Sequence, residues 1–405
     1  MIILRRKTDY NSALKTLGIE ALRPWQEDVL KSVLDEGRDA LFVVPTGGGK
    51  SLIYQLPAVM EAGRFLTIVV SPMLALQRDQ VQKLNKCGIN AVLLNSELSD
   101  SARRQVLQSL PTQALLYLAP EQLGSIDLQN ALKACDVVRV VVDEAHLLSE
   151  QRGFRPAFTT IGGFISSLPF PPQIIACTAT ATEKERHTIQ KSLGMDDPFV
   201  SVLPVYRENL RLSVKKMKDD QTRRKQLLSE LQQWDKKGLA LVFAPTVNEV
   251  QKDVKFLSES GIKALPYFAE MAKKEKSENA KKFASGDCKV LVATTAFGMG
   301  VDIPNIRLVI HAGLPLGLTE YVQQIGRGGR NGKKTRCLLL YADGDIKRNL
   351  GILYSNDKKE YEEKQDNLYA LEKAIKSDEC LWRSISAFYG QEQDDCGHCD
   401  QCRRK

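Results

Sequence analysis

The sequence predicts an α/β protein with two parallel-sheet domains in tandem, followed by a small helical, cysteine-bearing subdomain. Three observations carry this. Short Val/Ile/Leu runs alternate with helical segments from Ala40 to Tyr341, and near-continuous apolar runs mark strands buried on both faces between helix layers. A glycine-rich turn, Pro45–Ser51, follows the first run and opens a helical pattern. Four cysteines crowd the last 26 residues, a stretch too short to bury a core of its own.

Taken in order, residues 8–36 read as two short helices around Gly18. The first strand series is 40–44, 66–70, 91–94, 115–118, 137–142 and 174–177. The rhythm breaks at Pro198 and Pro204, where charge rises, so a linker is expected over 198–212. A second series follows at 239–243, 264–268, 290–293, 308–311 and 337–341. Beyond Gly344 the strands stop, leaving helices over 345–390 and a short tail. The expected domains are therefore 1–205, 206–344 and 345–405. Two similar domains with one glycine-rich loop suggest a nucleotide held in the cleft between them.

Composition narrows the class. Of 405 residues, 43% are hydrophobic and 26% charged, the balance of an ordinary globular chain with two or three domains. No apolar stretch reaches the length of a membrane span, and the N-terminal run is too short for a secretory signal. A cytoplasmic protein, or a nuclear one in a eukaryote, is expected, without a membrane partner. The net charge of +8 is clumped: Arg207, Arg211, Lys215, Lys216, Lys218, Arg223, Arg224 and Lys225 fall together, as do Lys273, Lys274, Lys276, Lys281 and Lys282. Each clump alone fits a solvated helix face; with a nucleic-acid substrate it also fits phosphate contacts.

The strand–turn–helix context of Pro45–Ser51 is what a phosphate-binding loop needs. Its backbone amides can curl around an anion, with the helix N-terminus adding positive potential. Thr46, Gly47, Gly48, Gly49, Lys50 and Ser51 form the loop, Lys50 reaching the β- and γ-phosphates and Ser51 holding Mg²⁺. Val44 stands where the strict motif has glycine. The run Val137–Val142 ends in Asp143-Glu144-Ala145-His146, at the carboxyl edge of a buried strand, where Mg²⁺ and phosphate can be met. Asp143 is the expected Mg²⁺ partner and Glu144 the residue that orients and deprotonates the attacking water. In the second domain, Gln323-Gln324-Ile325-Gly326-Arg327-Gly328-Gly329-Arg330 places two arginines three apart, suited to stabilising transferred-phosphoryl charge or to a solvated basic turn. Cys380, Cys396, Cys399 and Cys402 fit a tetrahedral Cys₄ zinc site with no open position, hence structural. The other five cysteines read as small buried hydrophobes.

These motifs, in this order, resemble the RecQ family of superfamily-two ATP-dependent DNA helicases. The likeness covers about residues 10–402 and includes Leu22–Gln26, Pro45–Ser51, Val70-Ser71-Pro72, Leu118–Glu121, Asp143–His146, Thr178-Ala179-Thr180, Ala296–Asp302 and the arginine motif. Phe154-Arg155-Pro156 and the terminal cysteines narrow it to RecQ. The resemblance implies two RecA-like domains and a zinc subdomain, with ATP, Mg²⁺ and Zn²⁺ as cofactors. It implies adenine contacts from Arg23 and Gln26, further nucleotide contacts from Asp302 and Gln323, and coupling of hydrolysis to movement through Thr178 and Thr180. It assigns the finger role to Arg330 with Arg327, and single-stranded DNA sensing to Phe154, Arg155 and Phe158, aromatic faces and an arginine being suited to any base and phosphate.

The chain departs from the family pattern at Ile19, usually aromatic, in a loop after Asp143–His146 that lacks the usual Trp and His, and at Gln324, Gly328 and Phe268. The expected function is 3′–5′ unwinding of DNA in repair and recombination, on single-stranded and partly duplex DNA, by a monomer. The sequence stops three residues after Cys402, as either a naturally short form without a winged helix or the core of a longer protein would, and a translocase or annealing factor with little unwinding is the alternative function.

Overall fold

The computed structural model describes residues 10–149, 156–297 and 303–404. The chain divides into two compact units, Met1–Leu203 and Pro204–Lys405. In the first, the elements run α1 (Asn11–Thr16), α2 (Pro24–Leu34), β1 (Ala40–Val43), α3 (Leu52–Met60), β2 (Leu66–Val70), α4 (Leu74–Lys86), β3 (Ala91–Leu94) and α5 (Asp100–Ser109). They continue with β4 (Leu115–Leu118), α6 (Ile126–Leu132), β5 (Val137–Asp143), α7 (Ile161–Ser167), β6 (Gln173–Thr178), α8 (Glu183–Leu193) and β7 (Phe199–Val202).

The seven strands pair in parallel in the order β3-β4-β2-β5-β6-β1-β7. One apolar core lies on each face. Phe42, Val69, Val141 and Ile175 point to one side, and Leu41, Ile68, Val140 and Ala176 to the other. That two-sided burial is why the strands read as unbroken Val/Ile/Leu runs. The order also places β1, β5 and β6 side by side, so the loops at their carboxyl ends converge.

The second unit repeats the plan: β8 (Leu210–Lys216), α9 (Asp220–Gln233), β9 (Leu239–Phe243), α10 (Val247–Glu259), β10 (Ala264–Tyr267), α11 (Lys273–Ser285), β11 (Val290–Ala293), β12 (Ile306–Ala312), α12 (Leu318–Ile325) and β13 (Thr335–Tyr341). Its parallel sheet has the order β10-β11-β9-β12-β13-β8. Then come α13 (Gly344–Leu353), α14 (Lys358–Lys376), α15 (Leu381–Phe388) and α16 (Asp400–Arg404).

Two features differ from the sequence reading. The expected linker over 198–212 contains the whole of β7 and the start of β8, both edge strands. In β8, Leu210, Leu212 and Val214 face the core while Arg211 and Lys216 face solvent. An edge strand is apolar on one face only, so its charged residues resemble a linker. The second difference concerns 345–405, which is no separate unit. Leu368, Leu371, Ile375, Leu381, Trp382 and Ile385 share one core with Leu210 and Leu339 of the second sheet and with Tyr321 of α12. The Val214 amide, on the sheet's outer edge, donates to Asp400 at 2.9 Å, and the Trp382 indole donates to the Leu210 carbonyl at 3.2 Å. The tail thus covers a strand edge that would otherwise offer itself for pairing.

Among the described residues, no helix is long and apolar enough to cross a membrane.

Candidate functional site

The glycine-rich loop leaves β1 at Val44, whose amide donates to the Thr178 carbonyl of the neighbouring β6 at 2.9 Å. Gly49 sits at a φ of +86°, a left-handed conformation open to glycine, and a Cβ there would meet the Gln26 side-chain nitrogen at 2.8 Å. Lys50 curls back so that its Nζ donates to the Val44 carbonyl at 3.0 Å, and Ser51 starts α3. The N-terminal end of α2 grips the same loop. Arg23 donates to the Gly48 carbonyl at 2.8 Å. Gln26 takes the Arg23 amide on its oxygen at 2.8 Å and donates to the Gly49 carbonyl at 3.0 Å. Leu22–Gln26 and the glycine-rich loop therefore form one connected surface.

Asp143 ends β5 directly across from Cys177 of β6. Its Oδ1 accepts from the Glu144 amide at 3.0 Å and from the Cys177 thiol at 3.3 Å, while Oδ2 accepts from the Ser71 hydroxyl at 3.3 Å. Burial, then the adjacent Glu144 carboxylate, hold the Asp143 carboxyl above its usual range, with Lys50 pulling the other way. Two crowded carboxylates beside a single lysine are short of positive charge, which is the donor set a hard divalent cation such as Mg²⁺ fits. Burial raises the Cys177 thiol well above normal, so it stays protonated and donates.

Glu144 itself has a φ of 53°, uncommon for a residue with a Cβ, and the kind of local strain that gathers at working sites. His146 Nδ1 lies 2.8 Å from the Thr178 hydroxyl and 3.4 Å from Glu144. The Thr178 hydroxyl donates to the Thr180 carbonyl at 3.1 Å, so its single proton is spent and His146 Nδ1–H is the donor to it. The Asp143–His146 and Thr178–Thr180 segments are thereby coupled directly.

In the second unit, α12 runs into the arginine segment. Gln323 is half-buried, as are Arg327 and Arg330. The turn between them is held from the start of β8: Arg207 donates to the Gly326 carbonyl at 3.1 Å and to Gly329 at 2.7 Å, and Asn209 donates to Gly329 at 2.8 Å. Arg207 belongs to the basic clump whose functional reading was phosphate contact. The structure corrects much of that clump. Arg223 is buried and paired with Asp345, Arg224 with Asp253, Lys215 with Glu230 and Lys216 with Asp343. Arg211, Lys218 and Lys225 remain exposed, as do Lys273, Lys274, Lys281 and Lys282 along α11.

At the carboxyl end, the sulfurs of Cys380, Cys396, Cys399 and Cys402 all lie within 4.8 Å of one another. Individual separations are 3.9 Å for Cys396–Cys402, 3.9 Å for Cys399–Cys380 and 3.5 Å for Cys399–Cys402. These are far too long for disulfides and close to the ~3.8 Å edge of a tetrahedron with Zn–S of ~2.3 Å. The Cys396 and Cys399 amides point at Cys380 and Cys396 sulfurs, at 3.2 and 3.3 Å, as suits thiolate ligands. Four soft donors in this arrangement fit zinc. His398 stands outside the cluster, its Nε2 3.3 Å from the Tyr206 hydroxyl.

The family model for DEAD/DEAH box helicases matches residues 23–189, and that for the helicase conserved C-terminal domain matches 222–332. The chain is 35% identical over 338 residues to the ATP-dependent DNA helicase RecQ of Synechocystis, covering 80% of this chain and 69% of that protein.

This chain belongs to the RecQ family.

RecQ of Bacillus subtilis is 34% identical over 95% of this chain, which spans 65% of that protein's length. The probable helicase RecS of the same organism is 35% identical, over 92% of this chain and 74% of RecS. Among solved structures, the helicase MrfA bound to DNA superposes with a TM-score of 0.70 at 18% identity, covering 96% of this chain and 56% of MrfA. Yeast Dbp5 bound to RNA and ADP BeF₃ gives 0.69 at 18%, covering 89% and 91%. These likenesses show the RecA-like tandem fold.

Within this RecQ family member, one expected DNA contact is corrected. Phe158 is 1% exposed and packs against Leu118, Leu123 and Ile161 inside the first unit, so its ring has no face to offer a base. Phe158→Ala is expected to destabilise the first unit by about 3–5 kcal/mol, leaving the DNA stimulation of ATPase unchanged below the melting temperature. Denaturant unfolding and ATPase assays check this; altered stimulation at full stability would return Phe158 to the DNA surface. Phe154, Arg155 and Asp302 lie outside the described residues. Sequence reasoning missed Cys177 as an Asp143 partner, placed Arg207 only in the basic clump, and missed Asn209 altogether. Cys177 stands directly before Thr178, which was a signal; Arg207 and Asn209 carried none.

Proposed function

We propose that this chain is an ATP-driven DNA motor that moves 3′ to 5′ along single-stranded DNA and unwinds duplex ahead of it. The observation that carries this is the linked set Gln26–phosphate loop–Asp143–Glu144–His146–Thr178 in a member of a DNA-helicase family. Bound ATP would supply the triphosphate whose terminal bond is broken, and Mg²⁺ would offset the charge on it.

The chain's own residues do the rest. Lys50 exchanges the Val44 carbonyl for phosphate oxygens, and loop amides cradle them. Ser51 and Asp143 would hold the metal, while Ser71 and Cys177 fix the Asp143 carboxylate. Glu144 orients the attacking water and takes its proton. Arg23 and Gln26 read the adenine, and Gln323 contributes a further nucleotide contact. Arg327 and Arg330 stabilise the charge that develops on the transferred group, an effect worth roughly 10³–10⁵ in rate where such fingers operate. His146 and Thr178 pass the hydrolytic state to Thr180. The Cys₄ cluster would hold Zn²⁺ as a structural clip on the second unit. Exposed lysines of α11 contribute phosphate contacts.

ATPase rate with and without single-stranded DNA, measured beside strand displacement from 3′-tailed and 5′-tailed duplexes, tests this. Stimulated ATPase with displacement from the 3′-tailed substrate alone is the expected result. Stimulation without displacement would reduce the motor to a translocase, and preference for the 5′ tail would overturn the polarity.

A further inference from the structure

We propose that Asn367, on α14, is a positioning residue for the arginine motif: it caps α12 from outside and so sets where Arg327 and Arg330 stand. This rests on the assignment of those arginines to charge stabilisation.

Helix α12 needs an external cap. Its N-cap residue is Gly317, which has no side chain to accept from the orphan amides of the first turn. The Asn367 side chain supplies what is missing. Its oxygen accepts from the Thr319 amide at 3.0 Å, and its nitrogen donates to the Thr319 hydroxyl at 2.8 Å. Gly317 is required by that approach, since a Cβ there would meet the Asn367 oxygen at 2.4 Å. Glu320, in the same turn, accepts from the Leu316 backbone amide at 3.0 Å and from the Gln324 side-chain nitrogen at 2.6 Å.

The strand-to-helix loop ahead of α12 is strapped by the same helical segment. Asn349 of α13 donates to the Leu314 and Pro315 carbonyls, both at 2.9 Å. Asp345 accepts from the Leu314 amide at 3.1 Å and the Ala342 amide at 3.0 Å. Both are buried, so replacing either would cost folding itself. Asn367 is half-exposed at the rim, so it can be changed.

Helix α12 has 8 residues, a rod of about 12 Å. Its far end is the turn clamped by Arg207 and Asn209. A short rod held at both ends loses its aim when either hold is released, because a small tilt at the cap becomes a displacement at the arginines. Misplacing a charge-stabilising group by ~1 Å costs on the order of 10²-fold in rate. The helices beyond the second sheet therefore act as the mount of the arginine motif as well as the stalk of the cysteine tail.

The test compares Asn367→Leu, Asn367→Asp, Thr319→Val and Arg330→Ala in the full chain, reading kcat and KM for ATP with single-stranded DNA, and melting temperature. Asn367→Leu keeps volume and removes both hydrogen bonds, so kcat should fall roughly 10- to 100-fold with KM for ATP and melting little changed. Asn367→Asp should restore most of the rate, since a carboxylate accepts from the Thr319 amide and hydroxyl together and suits a helix N-terminus. Thr319→Val removes only the hydroxyl half of the clip and should give a smaller loss. Wild-type kcat in Asn367→Leu, or no recovery in Asn367→Asp, overturns the proposal. If Asn367→Leu does not fold, Thr319→Val decides, and undiminished kcat there overturns it. Normal turnover in Arg330→Ala would instead sink the arginine assignment beneath it.

Discussion

Lys50→Ala is expected to abolish ATP hydrolysis, with kcat falling by roughly 10²–10³ or more and DNA stimulation lost. In this structure the Lys50 ammonium is held by the Val44 carbonyl at 3.0 Å, within the glycine-rich loop proposed to take the phosphates. It also opposes the burial and Glu144 repulsion that push Asp143 toward its protonated form. Alanine removes the charge at both places. The fold should be unaffected, because Lys50 is half-buried and its anchor is a single loop carbonyl. Steady-state ATPase beside circular dichroism measures this. A variant that still hydrolyses ATP in response to DNA would place the nucleotide site elsewhere.

Cys399→Ser is expected to have the largest effect on folding. Cys399 is fully buried, with its sulfur 3.5 Å from Cys402 and 3.9 Å from Cys380, and its amide braces Cys396. Serine offers zinc a harder, poorly acidic oxygen, so the tetrahedral set drops to three. Metal binding supplies folding energy where a segment cannot bury a core, and apparent values for small zinc modules run to ~10–16 kcal/mol. The loss here should be a part of that, since Trp382 and Ile385 already bury the adjoining helix against the second sheet. Zinc content and the melting of the second unit should fall together, and chelation of the wild type should reproduce the drop. A zinc-free protein with unchanged melting would refute a structural metal.

Chemistry was legible wherever it is local in the chain. Pro45–Ser51, Asp143–His146, Thr178–Thr180, Gln323–Arg330 and Cys396–Cys402 each place their groups within a few residues, so strand ends and turns alone bring them together. The central strands were legible because burial on both faces leaves a continuous apolar run. Edge strands β7 and β8 were not, since one open face admits Arg211 and Lys216. Phe158 looked like a DNA contact because its sequence lies beside Phe154 and Arg155, whereas core packing decides where its ring goes.

The sequence by itself determined the two parallel-sheet domains, the glycine-rich loop after β1 with the Asp143–Glu144 pair at the end of β5, and the four-cysteine cluster. Only the tertiary structure decided what those groups lean on. Cys177 meets Asp143 across two strands 34 residues apart in the chain, Asn367 caps a helix 48 residues before it, and Arg207 clamps a turn 122 residues after it. Sheet order is not chain order, as β3-β4-β2-β5-β6-β1-β7 shows, so which distant residues become neighbours is set by strand pairing and core packing. Spacing along the chain carries no record of that pairing, and the supports of a site are therefore visible only once the chain has folded.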